Sequence, residues 1–378
     1  MASRKLALLP ALICAAGSVL ADPTPLIESF EFYGSLRGHI AGFEGELEVQ
    51  DNSSRAGLRF SREFGSRVRV LAGTEFSINL FDSDTQFRLD ANTTSGFITI
   101  EQEDRGNMFG TRLGYLGLDF GRSGSLVIGK QWSVYYDVAG LTDQFDVFGG
   151  EGGQTFVGGT DGGGSGTGRV EQAAIYRNKL GRLDLGLQLH MRAAGDDRPT
   201  DGFAFSLRYP LAPGLLLGAA FVRTRLDEER LPDIPGFDGS PRYAALGAQF
   251  ERAGLRVALV ASKQKNGDFA TLEDPATGDD ESVVFDATGF EVLVRWKVTE
   301  RWVIKAGGGY VGPDDSLPPI DPDAALKYAI VGAEWFFDDR TYAYVEARAD
   351  QSVTTNGGSR PDVILAGLRF DFSLKKPQ

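Results

Sequence analysis

The sequence predicts an all-β fold: a transmembrane, antiparallel, up-and-down β-barrel of sixteen strands. Three observations carry that expectation. Segment after segment alternates apolar and polar residues with period two, as a wall between lipid and water requires. The links between segments alternate between short and long, the rhythm of a barrel with tight turns at one rim and loops at the other. Beyond the N-terminal region there is no run of about 18 apolar residues, so a crossing by helix is not expected.

The chain opens with Arg4 and Lys5, then a mostly apolar run from Leu6 to Leu20 ending in Val19-Leu20-Ala21. This reads as a secretory signal cleaved after Ala21, which leaves 22–378 as a single barrel domain and removes Cys14, the only cysteine. Strand segments follow at 30–41, 54–63, 67–78, 111–120, 124–131, 169–178, 182–192, 201–210, 214–224, 241–251, 254–264, 285–298, 301–311, 325–337, 340–351 and 362–372. The dyad is plain in the seventh, where Leu183, Leu185, Leu187, Leu189 and Met191 oppose Asp184, Gly186, Gln188, His190 and Arg192. It recurs where Phe290, Val292, Val294, Trp296 and Val298 oppose Glu291, Leu293, Arg295 and Lys297. In the last segment Ile364, Ala366, Leu368, Phe370 and Phe372 oppose Arg369 and Asp371. Tight links fall at Phe64 to Ser66, Gly121 to Ser123, Asn178 to Gly181, Pro210 to Pro213, Glu251 to Ala253, Thr299 to Glu300 and Asp338 to Asp339. Closure into a barrel is what hydrocarbon demands, because each unpaired edge amide there costs several kcal/mol. Trp296, Trp302, Trp335, Phe336, Phe337, Tyr342 and Tyr344 gather around two of the short turns, as an interfacial aromatic girdle would. A soluble β-sandwich would also alternate, but it needs neither sixteen consecutive two-sided strands nor that girdle.

Several classes of function are disfavoured. The absence of cysteine after residue 21 argues against a disulfide scaffold and against cysteine-based metal or nucleophile sites. The formal charge of −13, or −15 once Arg4 and Lys5 are removed, makes nucleic acid an unsuitable partner. Between Gly149 and Gly168 eleven of twenty residues are glycine, yet no helix or Lys-Ser/Thr pair follows to make a nucleotide cradle. His39 and His190 are the only histidines and neither sits in a recognisable catalytic motif, so no catalytic, cofactor or metal residues are expected. His190, on the polar face of its strand, is expected to be solvated in the lumen.

From Thr111 the chain reads TRLGYLGLDFGRSGSLVIGKQWSVYYDVAGLTDQFDVFGGEGG, then a glycine-rich stretch, then GRVEQAAIYRN. This resembles the general diffusion porins of Gram-negative bacteria, from strand four to strand six with the third loop between. FEFYGSLRG at Phe30 to Gly38 and SRAGLRF at Ser54 to Phe60 resemble the first two strands of that family. The resemblance implies a trimeric outer-membrane channel for passive diffusion of small hydrophilic solutes and ions. It would be surrounded by outer-membrane lipid and lipopolysaccharide and inserted by the barrel assembly machinery. It also implies a third loop folded into the lumen, whose carboxylates face a ladder of basic residues. On this pattern Asp143 and Glu151 match loop carboxylates, and Arg55, Arg112 and Arg169 match wall arginines, with Arg59 counted beside them. Ser35 stands where a basic residue is common and Val147 where a second loop carboxylate is common. Arg37, two residues from Ser35 and so on its face, and Asp146, next to Val147, are the substitutes at hand. The glycine-rich stretch is expected to be a mobile arm of that loop.

Acidic and basic rows across a narrow aqueous gap set up a transverse field that orients polar solutes and disfavours apolar ones. The negative charge, with acidic loops such as Asp274 to Glu281, leads to an expected mild preference for cations. Two alternatives remain open: a sugar-selective porin, for which Trp132, Tyr135 and Tyr136 would supply an aromatic slide, and a barrel hydrolase. Phe372, the last aromatic residue, is the expected assembly signal.

Overall fold

The computed structural model describes residues 29–65, 67–81, 109–156, 163–191, 200–225, 240–273, 280–315 and 320–376. The signal segment expected at 1–21 lies outside them. Among the described residues seventeen strands follow in chain order: β1 (Ser29–Phe43), β2 (Glu46–Asp51), β3 (Arg55–Phe64), β4 (Val68–Ile78), β5 (Phe109–Asp119), β6 (Ser125–Trp132), β7 (Arg169–Leu180), β8 (Leu183–His190) and β9 (Gly202–Ala212). They continue with β10 (Leu215–Thr224), β11 (Arg242–Arg252), β12 (Leu255–Glu273), β13 (Asp280–Lys297), β14 (Trp302–Pro313), β15 (Leu326–Phe336), β16 (Thr341–Asp350) and β17 (Val363–Lys376). A one-turn helix, α1 (Tyr136–Ala139), lies between β6 and β7.

All neighbouring strands are antiparallel, and β17 pairs with β1 from Phe30↔Lys376 to Gly42↔Ile364, which closes the sheet on itself. β2 pairs with the second half of β1 and β3 with the first half, so the two share one position in the ring. The barrel therefore has sixteen positions. Along these registers the backbone N–H and C=O groups pair between strands, which is the condition for standing in hydrocarbon.

The period-two alternation separates two faces. Leu187, Leu189, Phe203, Phe205 and Leu207 are exposed on the outside, while Gln188, His190, Ala204 and Ser206, between them in sequence, are buried inside. Trp302 and Trp335 stack at 6.3 Å beside the short 298–301 and 337–340 turns, at one edge of the apolar belt. The interior is not simply water. The segment after β6 lies within the barrel, and Val134, Tyr135, Val138 and Ala139 pack on Val170, Ala173, Ala204, Ala220, Val222 and Ala245 of the wall. Further along, Leu141, Phe145, Val147 and Phe148 pack on Val260, Leu293, Ile330 and Leu365. Burying a large apolar side chain contributes about 1.5–3 kcal/mol, so this segment has a seat and not merely a tether.

Four local expectations change. Residues 46–51 form β2, because Glu44 and Gly45 turn with φ of 51° and 87°, the pair of left-handed residues a tight hairpin needs. β12 and β13 run on to Glu273 and from Asp280, past an irregularity between Gln264 and Asp268 where Asn266 takes φ 51°. The strand thus absorbs Asn266-Gly267 as a bulge and does not turn there. β17 continues beyond Phe372, with Ser373 to Lys376 paired to Tyr33 to Phe30. His190 is not solvated: it is 1% exposed, with its ring 2.7 Å from the Gln188 amide nitrogen.

Candidate functional site

On β1, Arg37 points to the same side as Ser35, and its Nε donates to the Ser35 hydroxyl at 2.6 Å. Its backbone N–H donates to Ser54 Oγ at 2.9 Å, which fixes β1 against the break between β2 and β3. Arg55 at the start of β3 and Arg112 on β5 converge on Glu75 of β4, at 4.0 and 3.0 Å. Glu75 also accepts from the Tyr33 hydroxyl at 3.1 Å. Arg369 on β17 is held by Asp371, Nε to Oδ1 at 3.0 Å. Arg169, the first residue of β7, lies with its guanidinium carbon 5.4 Å from the centre of the Trp132 ring.

Across from these arginines stands the segment inside the barrel. Asp143 accepts from the Tyr136 hydroxyl at 2.6 Å. Asp146 accepts from Lys305 Nζ at 2.5 Å and from the Tyr342 hydroxyl at 2.7 Å, with Arg369 3.8 Å away. Burial alone would push the Asp146 carboxyl up, but Lys305, with help from Tyr342 and Arg369, holds it below its ordinary value. Arg37, Arg55, Arg112, Arg169, Asp143 and Asp146 border one cavity of about 340 Å³, together with Arg295, Arg369, Glu334 and the rings of Trp132 and Tyr136.

Two of the expected residues lie elsewhere. Arg59 pairs with Glu31 at 3.2 Å over the Tyr33 ring, away from the cavity lining. Glu151 is buried in an ion pair with Arg348 of β16 and stands 3.7 Å from Arg360 of the last loop. Its partners come from the opposite wall, so it serves as an anchor for the inner segment. Val147 is buried in the packing described above, and the chain bends so that its neighbour Asp146 meets the wall. Tyr135 is also buried, donating to the Gly153 carbonyl, whereas Trp132 and Tyr136 face the cavity. Of the glycine-rich stretch, residues 157–162 lie outside the described residues. The described part is tied to the wall, Gln188 Nε2 donating to the Gly166 carbonyl at 3.1 Å and Thr224 Oγ1 to the Ser165 carbonyl at 2.7 Å. That half is therefore not a loose arm.

The residues that hold the segment were not expected from the sequence. Glu346 of β16 accepts the backbone N–H groups of Asp146 at 2.6 Å and Val147 at 2.9 Å. Glu291 of β13 accepts from Gly150 N–H at 2.9 Å, Thr142 Oγ1 at 2.6 Å and the Tyr328 hydroxyl at 2.6 Å. Lys305 of β14 sits among Asp146, Glu334 and Glu346, at 2.5, 2.7 and 3.2 Å. Gly152 lets the segment press against the wall, since a Cβ there would fall 2.5 Å from the Phe290 carbonyl oxygen. The only signal in sequence was a charge on the inward face of a strand otherwise built from small residues, as at Lys305 before Gly307 to Gly309. Among the described residues no group of three or more His, Cys, Asp or Glu is arranged to hold a metal ion.

Comparison with known proteins agrees with this architecture. A family described as Gram-negative porin matches residues 7–355. Outer membrane porin N of Escherichia coli is 24% identical over 414 aligned positions, covering 98% of this chain and 100% of its own. Outer membrane protein F of Serratia marcescens is 27% identical over 291 positions, 69% of this chain and 74% of its own. Among solved structures, Salmonella typhi OmpF in complex with daunomycin superposes with a TM-score of 0.68 at 17% identity, over 91% of this chain and 97% of that one. In vitro folded OmpT of Vibrio cholerae, in its trimer form, gives 0.61 at 15% identity, over 91% and 99%. The anion-selective porin from Comamonas acidovorans gives 0.61 at 12% identity, over 91% and 100%. With a family match over most of its length and a closed barrel of sixteen strand positions, this chain belongs to the Gram-negative porins, β-barrel proteins of the outer membrane that form channels and are not enzymes.

Proposed function

We propose that the chain is a general diffusion porin whose narrowest passage runs between Arg37, Arg55, Arg112, Arg169 and Arg369 on one side and Asp143 and Asp146 on the other. The observation that carries this is a single cavity bordered by both sets of charges, with the inner segment pinned to the far wall. Opposed charges across such a gap favour polar solutes over apolar ones.

The cavity borders hold six arginines against three carboxylates, Asp143, Asp146 and Glu334, and counting Glu75 behind Arg55 and Arg112 leaves the excess positive. This supports a weak anion preference at the passage, opposite to the preference expected from the net charge of the chain. Charge in outer loops is screened within about 8 Å at physiological salt, whereas a permeating ion cannot avoid the arginines. The test is the reversal potential of the reconstituted protein under a KCl gradient. A chloride-favouring value is expected, and a potassium-favouring value refutes the preference.

Further parts of the reading follow from kinship with porins: export by a signal peptide removed after Ala21, a homotrimer, contact with outer-membrane lipid and lipopolysaccharide, and insertion by the barrel assembly machinery. Phe372 supports the last of these, its ring lying 5.3 Å from Phe32 over Gly34 at the closing seam. Phe372→Ala is expected to lower the yield of heat-resistant oligomer on unboiled gels, and an unchanged yield refutes that role. The mass of the purified N-terminus checks the cleavage position.

A further inference from the structure

The cavity has a second wall that an ion channel does not require. Trp132 and Tyr136 stack at 4.1 Å and 21°, and Phe156 stands 6.3 and 6.4 Å from them. These three rings border the same cavity as Arg37, Arg55 and Arg112. Arg55 carries a charge that its surroundings meet only in part. Glu75, the carboxylate within 4.0 Å of it among the described residues, is more closely engaged by Arg112, and Arg55 Nε is buried without a hydrogen-bond acceptor there.

We propose that this cavity is a binding subsite for aromatic carboxylates, with the carboxylate taken by the Arg55 and Arg37 guanidiniums and the ring lying along Trp132 and Tyr136. The inference rests on the reading of this cavity as part of the permeation path and adds the class of solute held there. Guanidinium–carboxylate pairs supply charge-assisted and often bidentate hydrogen bonds. Aromatic faces prefer other flat rings in offset or edge-on contact, worth about 0.5–1.5 kcal/mol beyond the area they bury. A volume of about 340 Å³ is at the small end of ligand pockets and suits a single substituted ring. A neutral sugar would use the rings but leave the arginines unmatched. Acetate or chloride would do the reverse.

The test is single-channel current through the full-length protein in planar bilayers in KCl, with benzoate, acetate, benzamide or cyclohexanecarboxylate added at equal concentrations. Benzoate is expected to reduce the mean current at a concentration about tenfold lower than any of the other three, the equivalent of ~1.4 kcal/mol. Arg55→Gln and Trp132→Leu are each expected to weaken the benzoate effect about tenfold, and Trp132→Phe, which keeps an aromatic face, to preserve most of it. Equal potency of acetate reduces the site to charge alone, and equal potency of benzamide or cyclohexanecarboxylate removes the charge or the aromatic contact. Any of these, or no effect of benzoate, overturns the proposal. The wild-type solute series decides this even where a variant fails to insert. If benzoate is inert while Arg55→Gln still shifts the reversal potential toward potassium, the subsite falls and the channel reading stands. If Arg55→Gln leaves the reversal potential unchanged, permeation through this cavity falls with it.

Discussion

The two sides of the lumen use the same residue types for different ends. Along β1, β3, β5 and β17 four arginines share Glu75 and Asp371, and their guanidiniums border the cavity. Along β13 to β16, apart from Arg295 and Glu334 at the cavity border, the charges are closed off: Lys305 is met by three carboxylates within 3.2 Å, and Glu346 and Glu291 accept backbone N–H groups of the inner segment. A charge that has its partners within the protein holds structure, and a charge left facing water shapes what passes. The difference lies in whether the inner segment brings partners to it.

Mutations on the closed side should have the largest effects. Lys305→Met leaves Asp146, Glu334 and Glu346 buried together without their cation. Breaking such a buried set costs about 3–5 kcal/mol, so the thermal stability of the folded barrel on heat-modifiability gels should fall sharply. Glu346→Ala removes the acceptor for Asp146 and Val147 N–H and should free the segment, raising open-channel conductance and noise; orphaned backbone donors there cost about 1–3 kcal/mol each. On the open side, Arg37→Ala should leave thermal stability within about 1 kcal/mol while moving the reversal potential toward potassium. A stability loss as large as that of Lys305→Met would erase the distinction between the two sides. Least of all should change with Arg59→Ala: its pair with Glu31 is half exposed, and such pairs are worth about 0–1 kcal/mol. An altered reversal potential there would extend the permeation path beyond the cavity.

The strands were legible because each one separates lipid from interior, and that separation is written residue by residue. All sixteen expected segments correspond to one strand each, and one of them, 54–63, is β3, which shares its ring position with β2. β2 was read as loop because its pairing depends on the backbone of Glu44 and Gly45 more than on its own apolar content. Arg55, Arg112 and Asp143, singled out by their place in a recognisable pattern, border one cavity. Glu346 and Glu291 were not singled out, because nothing in a strand's own segment shows what its inward charge will meet. Their partners lie 200 and 141 residues away, brought near only when the inner segment folds in. Glu151 was misplaced for the same reason, its partner Arg348 being 197 residues distant.

The seam between β1 and β17 sets a condition on how the barrel forms. Phe30 pairs with Lys376 and Gly42 with Ile364, so the earliest strand of the chain must wait for the latest before it has a neighbour on that side. Contacts of such sequence separation close slowly, because the whole intervening chain must first be ordered. A chain halted before residue 363 would keep two unpaired edges however well its other strands had assembled. Closure of the ring thus depends on its last step, the arrival of β17 at β1.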